Sequence, residues 1–199
     1  MPRTKEQYEA MREATVEKIQ SAAITLFAQK GFAATGVQDI ADEAGISVGL
    51  LYRHYKTKEE LFNELVNYAV GGLNALVNLI MSDIQPREII EQFVNEIYND
   101  MTNSMDFSNM LTLMTQAVYT NTAVTQRVME ADARLLTSIE TLIKKGQQLG
   151  QFHPGDPAEM ATLFLSSIQG LGVMRAALRE HFIMPSPEQI TKILFQREI

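Results

Sequence analysis

The 199-residue sequence has no cysteine, which excludes disulfides and thiolate metal sites and agrees with a reducing compartment. It has no tryptophan and only three histidines, His54 inside a basic cluster and His153 and His181 far along the chain. There is no Glu-x-x-His pair, no HExxH, no phosphate-cradling glycine loop and no Ser or Cys in a nucleophile motif. Helical proteins that do chemistry carry one of these, so the expectation is no enzymatic activity, no metal and no cofactor. No apolar run reaches the ~20 residues of a membrane span. The opening MPRTKEQYEAMREATVEK is too charged for a signal peptide, and a cytoplasmic chain without a membrane partner is expected.

Positive charge is also in short supply. Lys and Arg number 17 against 24 Asp and Glu, a formal charge of -7, which argues against a general nucleic-acid binder because nonspecific affinity comes from neutralising phosphates. The distribution matters more than the sum. Residues 1–60 hold eight basic and nine acidic groups. Lys30, Arg53, Lys56 and Lys58, with His54 among them, flank a single short stretch.

That stretch is TGVQDIADEAGISVGLLYRHY, residues 35–55. Thr35 reads as an N-cap with Gln38 completing a capping box. Val37, Ile40, Ala41 and Ala44 follow the spacing of one apolar helix face, and Gly45 stops the helix. Ser47 is the next N-cap, with Ile46 placed to staple onto Leu51. Two short helices joined by a tight glycine turn form a helix-turn-helix, whose second helix can enter a DNA major groove. Before it, Val16, Ile19, Ala22, Ala23, Leu26 and Phe27 make one helical stripe ending at Gly31. Residues 1–12 read either as a basic arm through Arg3, Lys5 and Arg12 or as a solvated helix face interleaved with Glu6 and Glu9.

With the GF at 31–32, the DIADEAGIS core and LYRHYKTKEEL, the run from Gly31 to Leu65 resembles the tetracycline-repressor (TetR) family of bacterial regulators. The resemblance implies an all-α fold, with a three-helix DNA-binding domain over residues 1–57 and a helical effector-binding and dimerisation domain over 58–199. It also implies that Thr35, Gly36, Ser47, Val48, Gly49, Leu50 and Arg53 face double-stranded DNA, and that Tyr52, His54 and Lys58 contact phosphates. A homodimer on an inverted-repeat operator, most simply a repressor, is the implied assembly. Val48 and Leu50 depart from the polar or small residues usual in the family, so this helix has fewer hydrogen-bonding groups. The alternative is a helical interaction module of the same fold that does not bind DNA.

The remainder reads as helices throughout. Thr57 opens one with Leu61, Leu65, Ala69, Leu73, Leu76 and Ile80 inward, and Gly71 and Gly72 in its middle mark a close-packing notch or a soft point. Pro86 opens the next, Met110 to Ala117 another after a break at 103–106, a turn at Asn121 and Thr122 follows, and Ala123 to Gln148 is one long helix. Asp156-Pro157 starts a helix apolar nearly all round to about Glu180, with Ser166, Ser167, Gly170 and Gly172 as small positions. Such a helix must be covered on more than one side, so it and a last helix from Ser186 are the expected dimer interface. By resemblance the middle helices hold a small lipophilic or aromatic effector. The expected lining is Met101, Met105, Phe107, Met110, Met114, Tyr119, Met129 and Arg175, although methionine at this spacing equally serves a plain core. Gln116, Asn121, Arg127, Asp132 and Arg134 are further polar groups able to orient a ligand.

Overall fold

A computed structural model describes residues 4–119 and 123–195, so Arg3, Asn121 and Thr122 lie outside the described residues. Among the described residues there are nine α-helices: α1 Lys5–Lys30, α2 Val37–Glu43, α3 Val48–His54, α4 Lys58–Ile80, α5 Pro86–Asn103, α6 Asp106–Val118, α7 Ala123–Gln148, α8 Pro157–Leu178 and α9 Pro187–Thr191. A 3-10 turn at Arg179–His181 extends α8, and the Phe152–Phe195 bridge is the one extended pairing recorded. The backbone divides into two compact units, Met1–Asn67 and Tyr68–Ile199. The division falls inside α4 rather than at residue 57, because Leu61, Phe62, Leu65 and Val66 from the first turns of α4 are buried within the first unit.

In the first unit α1 begins at Thr4, which forms a capping box with Gln7. The segment to residue 12 is thus a solvated helix face. Ile19, Ala23, Leu26 and Phe27 of α1 are buried with Ile40, Ala41 and Leu51 from the two short helices. Three rings close the base: Phe27, Phe32 and Phe62 have centroids 4.7 to 5.7 Å apart, within the range of favourable aromatic pairs.

The second unit has a single core. Ile89, Ile90, Val94 and Ile97 of α5 meet Leu135, Ile139, Leu142 and Ile143 of α7 and Ala161, Phe164 and Ile168 of α8. Asp156 caps α8 by accepting from the amides of Ala158 and Glu159 at 2.9 and 3.0 Å. The last helix is short, and Ile190 and Leu194 are buried in this same core, so α9 does not offer its apolar face to a second chain. The sequence between α7 and α8 is pinned by Phe152, whose ring stacks on Phe195 at 5.5 Å.

Two glycine expectations need correction. A Cβ on Gly71 or Gly72 would meet nothing within 4 Å, because both lie on the open side of α4, so they form no packing notch within this chain. Gly172, by contrast, is buried where a Cβ would run into Leu111 of α6. Gly170 faces open space. Contrary to the composition reading, the stretch Pro157–His181 is long and apolar enough to meet the length and composition of a membrane span.

The tightest glycine is Gly146 in the last turns of α7, where a methyl would overlap the buried Phe152 ring. A rigid ring cannot swing aside as a leucine tip does. Gly146→Ala is expected to destabilise the chain by about 1–3 kcal/mol, read as a lowered midpoint in urea unfolding; an unchanged midpoint would show that the Phe152 pocket relaxes freely.

Candidate nucleic-acid interface and apolar cavity

The interface candidate is built on α3, which has seven residues. Ser47 caps it, its hydroxyl accepting from the Leu50 amide at 3.2 Å. Before it, Gly45 turns the chain with φ +66, a left-handed conformation that glycine takes without strain. Leu51 faces inward and is buried. At the other end Tyr55, also buried, donates its hydroxyl proton to Glu64 at 2.9 Å, while the Gln20 amide donates to Tyr55 Oη at 3.0 Å and to Glu64 at 2.8 Å. Burial first, and then the Glu64 carboxylate, push the Tyr55 phenol up to about 12. It remains a neutral donor tying α1, α3 and α4 together.

With that face tied down, the opposite one is open. Ser47, Gly49, Tyr52 and Arg53 are exposed, Val48, Leu50 and His54 half-buried, and Gly36 exposed at the start of α2. No hydrogen bond or ion pair among the described residues engages Arg53. The exposed face thus offers one hydroxyl, one position without a side chain and one guanidinium, the groups that read or approach base edges.

Two of the expected contact residues are engaged elsewhere. Thr35 is 1% exposed and does not cap α2. Its hydroxyl donates to the Gly31 and Leu26 carbonyls at 2.8 and 3.3 Å, tying the loop back onto the end of α1. The cap falls to Gly36, whose amide donates to Asp39 at 2.9 Å, and Gln38 instead donates to Asp42 at 2.7 Å. Lys58 is likewise turned inward. Its ammonium donates to the Phe32 and Thr35 carbonyls at 2.7 and 2.8 Å and sits 4.4 Å from the Phe32 ring centroid. This lysine closes the loop between α1 and α2, leaving one N–H for any phosphate. Lys58→Met, which removes both of these charged hydrogen bonds, is expected to lower stability by about 1–3 kcal/mol in urea unfolding; no change would mean the clamp contributes nothing.

The second unit contains a cavity of about 270 Å³ between α4, α5, α6, α7 and α8. Leu73, Leu76, Leu111, Val118, Leu135, Leu165, Ile168 and Val173 form its walls with Phe93, Phe107 and Tyr119. Of the expected lining, Phe107, Met114 and Tyr119 are there. The others lie elsewhere: Met101 is 1% exposed in the core, Met129 is largely exposed, and Met105 and Met110 sit off the cavity wall. Arg175 is a strut, its guanidinium donating to the carbonyls of Met101 at 2.8 Å and Arg179 at 2.6 Å. The polar groups that do reach the cavity are Thr115, Gln169 and Asp132. Arg134 instead donates to Asn74 at 3.1 Å and Arg127 is exposed. The sequence carried a signal for Asp132: it stands at i+4 from Val128 and i−3 from Leu135, an acid on the apolar stripe of α7. The leucines carried none, since a stripe facing a cavity and one facing a packed core have the same period.

Residues 19–65 match the family described as bacterial regulatory proteins, tetR family. The chain is similar to the HTH-type transcriptional regulator YerO of Bacillus subtilis, with 37% identity over 98 residues that make up 48% of this chain and 34% of that protein. It is also similar to the HTH-type transcriptional repressor KstR2 of Rhodococcus jostii, with 38% identity over 77 residues, 38% of each chain. The chain thus spans little more than a third of the length of these relatives. The fold extends further: the crystal structure of the MbdR regulator from Azoarcus sp. CIB superposes with a TM-score of 0.71 at 20% identity, covering 89% of this chain and 93% of that one. The helix-turn-helix segment thus matches the tetR family over residues 19–65, and the all-helical architecture of the chain is shared with the MbdR regulator.

Proposed function

We propose that the chain is a ligand-responsive transcriptional repressor that binds an inverted-repeat operator as a homodimer and is released by a small lipophilic effector. The observation that carries the DNA-binding part is the division of α3 into an anchored face, Leu51 and Tyr55, and an open face with Ser47, Gly49 and an unengaged Arg53. A module this small has a limited interface, so two half-sites about 34 to 36 Å apart supply the affinity and specificity. The face of α8 bearing Leu163, Met174 and Leu178, each more than 40% exposed, together with the open Gly170, is the surface for the second copy. The cavity is the effector site. A ligand preferring a form with badly spaced recognition helices shifts the population away from DNA by no more than its differential affinity for the two forms.

Selection of bound fragments from randomised duplex DNA tests this reading. The expected outcome is one enriched inverted repeat, with binding that weakens steeply as salt rises. Arg53→Ala is expected to cost about 1–3 kcal/mol and to relax preference at one position; equal loss on every sequence would mark Arg53 as a phosphate contact. Failure to enrich any sequence, with only weak binding, would favour the interaction-module reading. A monomer in sedimentation at micromolar concentration would remove the dimer.

A further inference from the structure

We propose that the ligand of this cavity is a lipophilic cation, an amine or quaternary ammonium whose charge rests against Asp132 and whose body lies among Phe93, Phe107 and Tyr119. The inference rests on the reading of the cavity as a ligand site and names its chemistry. Of the fifteen lining residues, Asp132 alone carries a formal charge at neutral pH, and no Lys, Arg or His joins it. Among the described residues its carboxylate has no hydrogen bond and no ion pair. Burial pushes its pKa above the ordinary aspartate value, the mark of a carboxylate short of both water and a counter-charge. The two arginines that might have supplied one are engaged elsewhere, Arg134 with Asn74 and Arg175 with the Met101 and Arg179 carbonyls.

A partly buried carboxylate without a partner lowers stability, and an incoming cation relieves that penalty as it binds. The aromatic lining supplies apolar surface for the body of the ligand. An anionic ligand such as a fatty acid would meet repulsion from Asp132 and no lining cation to offset it. The cavity, at about 270 Å³, lies near the lower end of ligand pockets, roughly 300 Å³ and upward. That favours a compact cation.

The test is calorimetric titration of the full chain with octyltrimethylammonium, octanol and octanoate, three probes sharing one apolar tail, for wild type and Asp132→Asn. The expected result is that the cation binds wild type about ten- to a hundredfold more tightly than octanol, with octanoate weakest. Asp132→Asn should bring the cation down to the level of octanol while leaving octanol unchanged. The same substitution should raise the melting temperature of the ligand-free protein at neutral pH, which also certifies that the variant folds. Octanol or octanoate binding as tightly as the cation, or a cation affinity that Asp132→Asn does not alter, would overturn the inference while leaving the cavity a ligand site. No binding of any probe would overturn the ligand-site reading and the inference together.

Discussion

A helix of seven residues makes too few internal hydrogen bonds to hold itself together in water, so α3 exists only through what its inner face and its two ends are tied to. Ser47 closes one end, Leu51 is buried beneath the middle, and Tyr55 locks the other end to α1 and α4 through Gln20 and Glu64. Because those anchors occupy the inward side, the outward side leaves Gly49, Tyr52 and Arg53 exposed. The loop before α2 follows the same logic, with Thr35 directed into the Gly31 carbonyl and Lys58 into those of Phe32 and Thr35. The result is a rigid platform carrying a small polar face, in a chain whose net charge of -7 supplies no attractive field of its own. Recognition of nucleic acid by such a platform depends on local geometry more than on long-range steering.

The second unit solves a different problem. Its core is dense where α5, α7 and α8 meet, yet the space bounded by Phe93, Phe107 and Leu135 is left unfilled. The pocket opens to solvent beside Tyr119 and Val173, and its lining contains one carboxylate, Asp132. An apolar void alone is weak evidence of a ligand. An apolar void with one unpartnered charge specifies the sign of what enters.

Much of this was legible in the sequence because caps and stripes have local causes. Ser47, Gly31, Pro86 and Asp156 mark boundaries through hydrogen bonds or φ values set by their own chemistry, and the structure places helix ends beside each of them. Thr35 misled because its hydroxyl had a competing partner, the end of α1, which adjoins it in the fold and not in the capping pattern. Lys58 meets the same competition: a lysine near a helix start suits phosphate, and here two carbonyls already take two of its three donors. The methionines show the limit of periodicity. Met101 and Met114 share a residue type and a helical face pattern, yet one is sealed in the core and the other borders the cavity, a difference that only the packing of neighbouring helices sets. The paired glycines at 71 and 72 show the reverse, since the small size that suggested close packing within the chain meets open space.

The central claim is that the open face of α3 is the surface that meets DNA while its buried face stays fixed. Hydrogen exchange of the full chain, with and without a selected duplex, tests it directly at the level of peptides. The account predicts new protection confined to residues 47–54 and the adjoining start of α2 at 36–39, with the amides around Leu61 and Leu65 already slow in the free protein. Protection appearing on α8 or around the cavity while residues 47–54 remain unchanged would contradict it.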